Sequence, residues 1–160
     1  MSLLAVPKAS ELWSTPQEFF DGIDREFGFT IDVCADRDSA KCPKFYTPED
    51  DGLKQPWTGR VWCNPPYSEI PKWMERGHRA VTSGECDVAV FLVPSRTGVG
   101  WFHEFALRHE VRFIRGRLNF GGATTNAPFD CCLVVMRSRA GSLCRHGNAL
   151  SSCKKCSEVA

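Results

Sequence analysis

The sequence lacks any long apolar run. Stretches such as residues 88–93 and 133–136 fall far short of the roughly 20 residues that a membrane-spanning helix needs. The apolar residues 3–6 are too few for the core of a signal peptide, and Pro7 and Lys8 follow them instead of a small-residue cleavage site. We therefore expect no membrane span and a cytoplasmic location.

The sequence also lacks internal repeats, low-complexity tracts and a strong net charge. Its 160 residues, of which 42% are hydrophobic and 24% charged, suit one globular domain, and we expect a monomer. The net charge of +1 hides an asymmetry, because residues 1–100 carry 11 Lys and Arg against 15 Asp and Glu, whereas residues 101–160 carry 9 against 4. A basic C-terminal face is compatible with nucleic-acid binding, although an ordinary solvated surface fits the same charges.

The nine cysteines form an odd set without a secretory signal, which predicts reduced thiols. In the basic tail, residues 141–160, four residues have chemistry suited to zinc: Cys144, His146, Cys153 and Cys156. Only the second pair has the usual two-residue gap. We therefore favour a frayed, reduced tail without metal over a zinc site.

Helical and strand patterns alternate along the chain. The run Thr15-Pro16-Gln17-Glu18 predicts a helix start with Thr15 as its cap, and Gly28 predicts its end. Further helices are predicted at residues 70–81 and 101–109, and strands at residues 29–35, 60–63, 87–93, 111–114 and 131–136. This order predicts an α/β sandwich with a mainly parallel sheet and a C-terminal antiparallel hairpin.

Polar residues follow the first two predicted strands. Residues 32–36 end the first strand with two aspartates, and Asn64 to Tyr67 follow the second. Ligands of parallel sheets gather beyond the carboxyl ends of the strands, so we expect these two segments to share one cleft.

The tetrapeptide Asn64-Pro65-Pro66-Tyr67 combines a rigid backbone with a polar and an aromatic side chain. The side-chain oxygen of Asn64 and the carbonyl of Pro65 are two acceptors that suit a single amino group. An amine held in this way turns its nitrogen lone pair towards an electrophilic methyl group, and Tyr67 could stack on the attached base. The plainer interpretation is a turn after a strand.

Several further motifs occur in a fixed order around this tetrapeptide. They are Trp13-Ser14-Thr15-Pro16, Asp32-Val33-Cys34-Ala35, Asp50-Asp51-Gly52-Leu53 with Trp57, residues 92–97, residues 101–103 and residues 116–120. With this set, the chain resembles the phage-type DNA N6-adenine methyltransferases over about residues 12–137. The ordered set is far more specific than any one motif.

The resemblance implies a Rossmann-like class I methyltransferase domain at residues 1–140, encoded by a phage or prophage and acting in a bacterial host. Its activity would be methyl transfer from S-adenosylmethionine to the N6 amino group of adenine in DNA. Asn64, Pro65, Pro66 and Tyr67 would line the reaction site. The target base must leave the duplex, so Tyr67, Trp62 and Phe120 are candidates to stack on it.

The resemblance also implies a cofactor site, formed by Trp13, Thr15, Pro16, Asp32, Cys34, Ala35, Asp36, Asp51 and Leu53. Asp32 would accept from the methionine amino group, and Asp36 or Asp51 would bind the ribose hydroxyls or the adenine amine, although each aspartate also fits a cap or turn. The glycine-rich loop of larger methyltransferases is absent, since residues 34–36 replace it.

For DNA binding, the candidates are Arg96, Arg115, Arg117 and Phe120, although any of these arginines also fits a solvated surface. No separate recognition domain fits in the chain, so residues 115–129 are expected to read the DNA sequence. Two alternatives stay open: methylation of another planar amine, namely cytosine N4, an RNA base or glutamine, and a DNA-binding remnant without turnover.

Overall fold

The computed structural model describes residues 14–120 and 127–139. Within this part the helices are α1 (Gln17–Phe27), α2 (Ile70–Ser83) and α3 (Gly100–Glu104), with 3-10 turns at Tyr67–Glu69 and Ala106–Arg108. The strands are β1 (Ile31–Asp32), β2 (Arg60–Cys63), β3 (Val88–Pro94), β4 (Glu110–Phe113) and β5 (Cys131–Arg137). The predicted alternation of helices and strands is confirmed.

The five strands form one sheet in the order β1-β2-β3-β5-β4. β1, β2 and β3 are parallel, whereas β5 runs antiparallel both to β3 and to β4. The predicted antiparallel hairpin is therefore confirmed. The sheet as a whole is mixed, because two of its four strand pairings are antiparallel, so the architecture is mixed α/β.

Two apolar clusters cover the two faces of the sheet. Along β2, Val61 and Cys63 contribute to the cluster that includes α2, and Trp62 between them contributes to the cluster that includes α1. Burial of both faces explains why all seven residues of β3 are buried and why its sequence is almost continuously apolar. The helices α1 and α2 pack on these faces and end at left-handed glycines, Gly28 and Gly84.

Strand β1 is shorter than predicted because the side chain of Asp32 ends it. The strand was expected over residues 29–35, but its regular part is Ile31–Asp32. The Cys34 N–H donates to Asp32 Oδ1 at 3.2 Å, a side-chain turn that takes Cys34 out of the ladder. Backbone pairing still reaches Val33, whose N–H donates to the Trp62 carbonyl at 3.1 Å.

The helix predicted at residues 101–109 is broken at Phe105. Helix α3 ends at Glu104, Phe105 has φ −116°, and a 3-10 turn follows. The break leaves the Phe105 ring 6.0 Å from the His78 ring of α2, centroid to centroid. The prediction of one continuous helix was therefore wrong.

The six cysteines within residues 14–120 and 127–139 are free thiols, as predicted for a reduced chain. No helix in the same residues has the length and apolar character needed to cross a bilayer.

Candidate functional site

The carboxyl ends of β1, β2 and β3 lie along one edge of the sheet, called here the carboxyl edge. The strands are adjacent and parallel, and Asp32 of β1 pairs with Trp62 of β2. Residues 33–36 and Asn64 to Tyr67 therefore leave neighbouring strands at the same edge. The two segments are therefore neighbours, and the expectation that they share one cleft stays a prediction.

Asn64 to Tyr67 form a tight corner between β2 and α2. Pro66 is extended, with φ −59° and ψ 134°, and its carbonyl accepts the Glu69 N–H at 3.0 Å, which starts the 3-10 turn. Pro65 is buried, while Asn64 and Tyr67 are half-buried. Because both prolines fix φ, the corner holds Asn64 and Tyr67 in a defined relation to the sheet.

Asn64 is held by a residue far away in sequence. Its Nδ2 donates to Thr15 Oγ1 at 3.1 Å, and the Thr15 side chain is buried. The prediction that Thr15 caps α1 was wrong: Pro16 precedes the first helical residue, and no side chain caps the helix. With Nδ2 directed at Thr15, the Oδ1 of Asn64 lies on the opposite side of the amide group.

The Tyr67 ring packs edge-on against Phe129, with ring centroids 5.2 Å apart and an interplanar angle of 80°. Its hydroxyl is buried, and no hydrogen-bond partner for it occurs among residues 14–120 and 127–139. Burial, more than any charge, raises the pKa of Tyr67 well above its usual value; Cys131 raises it further, and the Arg96 guanidinium lowers it. Tyr67 is therefore a neutral phenol that adjoins Arg96.

Two other aromatic residues that the sequence suggested for base stacking are in the core. Trp62 is 0% exposed and Phe120 is 2% exposed, and both belong to the apolar cluster on the α1 side of the sheet. The Trp62 ring packs at 5.3 Å against the Phe20 ring of α1, centroid to centroid. Neither presents an open ring face, so their expected role in stacking is not supported by this placement.

Asp32 is buried beneath the segment that follows β1. Its carboxylate accepts the Cys34 N–H at 3.2 Å through Oδ1 and the Lys41 N–H at 3.1 Å through Oδ2. Burial raises the pKa of Asp32 from 3.8 to about 7, although those two backbone bonds and the Lys41 charge lower it. The side chain therefore holds the backbone of residues 34–41 in place at its two ends.

Cys34 and Ala35 lie directly above Asp32. The Ala35 N–H donates to the Tyr46 carbonyl at 3.0 Å, so a short extended segment at residues 44–46 flanks β1. Burial raises the pKa of the Cys34 thiol well above its ordinary value, and nearby carboxylates raise it further. The thiol is therefore protonated near neutral pH and is not a reactive thiolate.

Asp36 lines a cavity of about 510 Å³ beyond the end of β1. The same cavity is lined by two further carboxylates, one arginine and two hydroxyls, namely Asp38, Glu49, Arg37, Ser39 and Thr47. Carboxylates of this kind accept hydrogen bonds from ribose hydroxyls and from amines.

Residues 51–53 come close to the end of β1. A Cβ atom on Gly52 would collide with the Val33 carbonyl and lie 3.2 Å from the Trp73 ring, so only glycine fits there. Asp51 before it adopts a left-handed φ of 55°, and its carboxylate pairs with Lys54 Nζ at 2.7 Å. This close approach brings Asp51 and Leu53 to the carboxyl edge.

Three arginines with predicted DNA contacts are exposed near the same edge. Arg96 follows β3, whereas Arg115 and Arg117 follow β4, whose last residue pairs through β5 with the end of β3. Arg117 lies 3.5 Å from the Asp130 carboxylate. Two strand spacings, about 10 Å, separate β3 from β4, so the arginines form a spread basic border.

Two residues at this edge, Ser95 and Phe129, lie in segments that the sequence analysis named, but neither was assigned a role of its own. Ser95 directly follows β3, and its buried hydroxyl finds no hydrogen-bond partner among the residues described. The position of Ser95 directly after a strand end was a sequence signal that could have identified it as a site residue. Phe129 packs against Tyr67 from a distant segment, and no local pattern indicates such a contact.

Some predicted residues lie outside the described part of the chain: Trp13, Cys144, His146, Cys153 and Cys156. Within the described residues, no group of three or more His, Cys, Asp or Glu side chains is arranged to hold a metal ion.

Residues 5–140 match the family model described as DNA N-6-adenine-methyltransferase (Dam). A DNA N-6-adenine-methyltransferase of Escherichia phage T1 is 31% identical over 99 residues, which cover 59% of this chain and 40% of that protein. Another, of Haemophilus phage HP1 (strain HP1c1), is 41% identical over 61 residues, which cover 36% of this chain and 35% of that protein. The chain thus spans well under half the length of these two relatives.

Proposed function

The chain belongs to the DNA N-6-adenine-methyltransferase family, and on this premise we propose that it transfers a methyl group from S-adenosylmethionine to the N6 atom of adenine in DNA. One observation carries the proposal. Asn64 begins the corner of residues 64–67 at the carboxyl edge, and its side chain is held there by Thr15, beside the segment that leaves β1. The same features favour a Rossmann-like class I fold.

Asn64 and Pro65 orient the amine of the target base. Asn64 Oδ1 lies opposite the Nδ2 that Thr15 binds, and the Pro66 carbonyl is already engaged with the Glu69 N–H. The carbonyl of Pro65 therefore joins Asn64 Oδ1 as the second acceptor. Two acceptors on one amino group hold both of its protons and leave the nitrogen lone pair directed away from them, which raises its nucleophilicity.

The residues at the end of β1 fit an S-adenosylmethionine site, because carboxylates and hydroxyls line the cavity beside Asp36. When bound, this cofactor supplies an electrophilic methyl group. We assign its binding to Pro16, Cys34, Ala35, Asp36, Asp51 and Leu53. Asp32 supports these residues from beneath, since both of its carboxylate oxygens accept backbone N–H groups of the segment above it.

Tyr67 holds the flipped adenine, because among the aromatic residues proposed for stacking it alone is only half-buried. Phe129 braces its ring from the side. The target amine is inaccessible inside a duplex, so the base must rotate out of the stack before it reaches Asn64. The exposed Arg96, Arg115 and Arg117 would bind the flanking phosphates. The affinity that such contacts supply falls as the salt concentration rises.

Product analysis tests the proposed reaction. The full chain is incubated with duplex DNA and methyl-labelled S-adenosylmethionine, and the DNA is then digested to nucleosides. We expect the label in N6-methyldeoxyadenosine, and a matched RNA duplex should remain unlabelled. Label confined to cytosine would assign the enzyme to another amine, and DNA binding without any label would support a catalytically inactive remnant.

A further inference from the structure

Thr15 has a different role from the one that its motif suggested. Its side chain is 4% exposed, and its hydroxyl is bonded to Asn64 Nδ2 across 49 residues of sequence. Helix α1 begins two residues later without a side-chain cap, although a threonine at this point is well suited to capping. The hydroxyl is therefore committed to Asn64 rather than to the helix.

The terminal torsion of an asparagine is broad and roughly two-fold, so the side chain alone does not determine where its oxygen points. For Asn64 this matters, because Oδ1 accepts a hydrogen bond whereas Nδ2 only donates. If the amide were reversed, an N–H would face the amine of the target base and the two donors would repel each other. In the structure Thr15 binds the Nδ2 end of the amide, which places Oδ1 on the opposite side.

We propose that Thr15 is a positioning residue for Asn64: it binds Nδ2 and so keeps Oδ1 directed at the target amine. This inference rests on the proposed methyl transfer. The geometry favours Thr15 for this task, because it is buried and lies just before α1, whose Phe20 packs against Trp62 of β2. The strand that ends beside Asn64 and the helix that follows Thr15 are thereby held together.

Kinetics separates this role from cofactor binding. Thr15→Val keeps the shape of the side chain but removes the hydroxyl, and we expect its single-turnover rate at saturating cofactor and DNA to fall about 10- to 100-fold. The dissociation constant of S-adenosylmethionine should change less than about three-fold, and Thr15→Ser should recover most of the rate. An unchanged rate with a ten-fold weaker cofactor affinity would overturn the proposal and return Thr15 to the cofactor site.

A double-mutant cycle tests whether Thr15 acts through Asn64. In an Asn64→Ala background, Thr15→Val should cause no further loss of rate, whereas an equal additional loss would show that the two residues act independently. The matched control is Thr30→Val, which also removes a threonine hydroxyl that bonds another segment, the backbone of Arg60, but lies away from the site. We expect this control to retain the wild-type rate.

Hydrogen exchange of the Asn64 side-chain amide, measured by NMR, tests the contact with Thr15 directly. This measurement needs neither methyl transfer by the wild-type chain nor a well-folded Thr15→Val variant. In the wild-type protein, the side-chain amide protons of Asn64 should exchange with solvent far more slowly than those of the exposed Asn119. Thr15→Ser should preserve that protection, and Thr15→Val, if folded, should reduce it. Equal exchange at Asn64 and Asn119 in the wild type would refute the Thr15 contact, whereas protection without transfer would refute only the proposed function.

Discussion

Two helical glycines should respond in opposite directions to the same substitution. Gly22 lies in the middle of α1, where a Cβ atom would meet nothing nearer than Arg25 Nη2 at 3.9 Å. Gly77 lies in the middle of α2, where a Cβ atom would be 2.5 Å from Phe91 Cε2 and 3.4 Å from Met136 Sδ. Phe91 and Met136 are fully buried, so neither side chain can move aside into solvent.

The magnitudes follow from helix propensity and packing. Replacing a helical glycine with alanine stabilises a helix by about 0.8–1 kcal/mol, which is the whole effect expected for Gly22→Ala. At Gly77 the same gain is opposed by overpacking, which costs about 1–3 kcal/mol in a close-packed core. A contact this short against a rigid ring calls for the upper end of that range, so Gly77→Ala should destabilise the protein by about 2 kcal/mol.

Thermal and urea denaturation of the two variants beside the wild type measure this difference. For a domain of this size, 1 kcal/mol corresponds to a shift in Tm of about 2–4 °C. We expect Gly22→Ala to raise Tm by about 2–4 °C and Gly77→Ala to lower it by about 4–8 °C. A Gly77→Ala variant as stable as the wild type would refute the close packing of α2 on β3.

Three further predictions concern buried and exposed charges. Burial raises the pKa of Asp32 to about 7, so the folded protein keeps a proton there that the unfolded chain releases above its pKa near 3.8. The free energy of unfolding should therefore fall as pH rises through this window. In urea titrations at several pH values Asp32→Asn should flatten that slope, whereas an unaltered slope would contradict the assignment. Arg76 is buried and donates to the partly exposed Glu85 at 2.9 and 2.6 Å, so Arg76→Met should cost about 1.5–3 kcal/mol in chemical denaturation. The exposed Arg79→Met should cost little, and equal losses would argue against the ion pair. Arg96→Gln should weaken DNA binding about ten-fold and reduce the slope of log affinity against log salt by about one, while an unchanged slope would exclude a phosphate contact.

Local patterns were enough to predict the order of the elements and the carboxyl edge. The alternation of apolar strands and amphipathic helices led to parallel strands, and their carboxyl ends must then lie together. The adjacency of Asp32 and Asn64 follows from that argument without any knowledge of side-chain contacts. The position of β5 between β3 and β4 did not follow, because the pattern of a single strand does not show which strands it pairs with.

Contacts between distant segments could not be predicted in the same way. Thr15 fits the pattern of a helix cap, and only the packing of α1 beside β2 brings it to Asn64. Trp62 alternates with Val61 and Cys63 along β2, so its face could be predicted, but its burial depends on the presence of α1. The placement of α1 on the sheet decides both the contact of Thr15 and the burial of Trp62, and the pattern of a single sequence does not predict that placement.

The rate of methyl transfer by Asn64→Ala, measured in a single turnover at saturating S-adenosylmethionine and DNA, tests the central claim most directly. Loss of a preorganised hydrogen-bonding group at a reacting atom typically lowers the rate about 10²- to 10³-fold, and we expect a loss of this size with cofactor affinity retained. Transfer to adenine at the wild-type rate by this variant would contradict the proposal that Asn64 orients the amine.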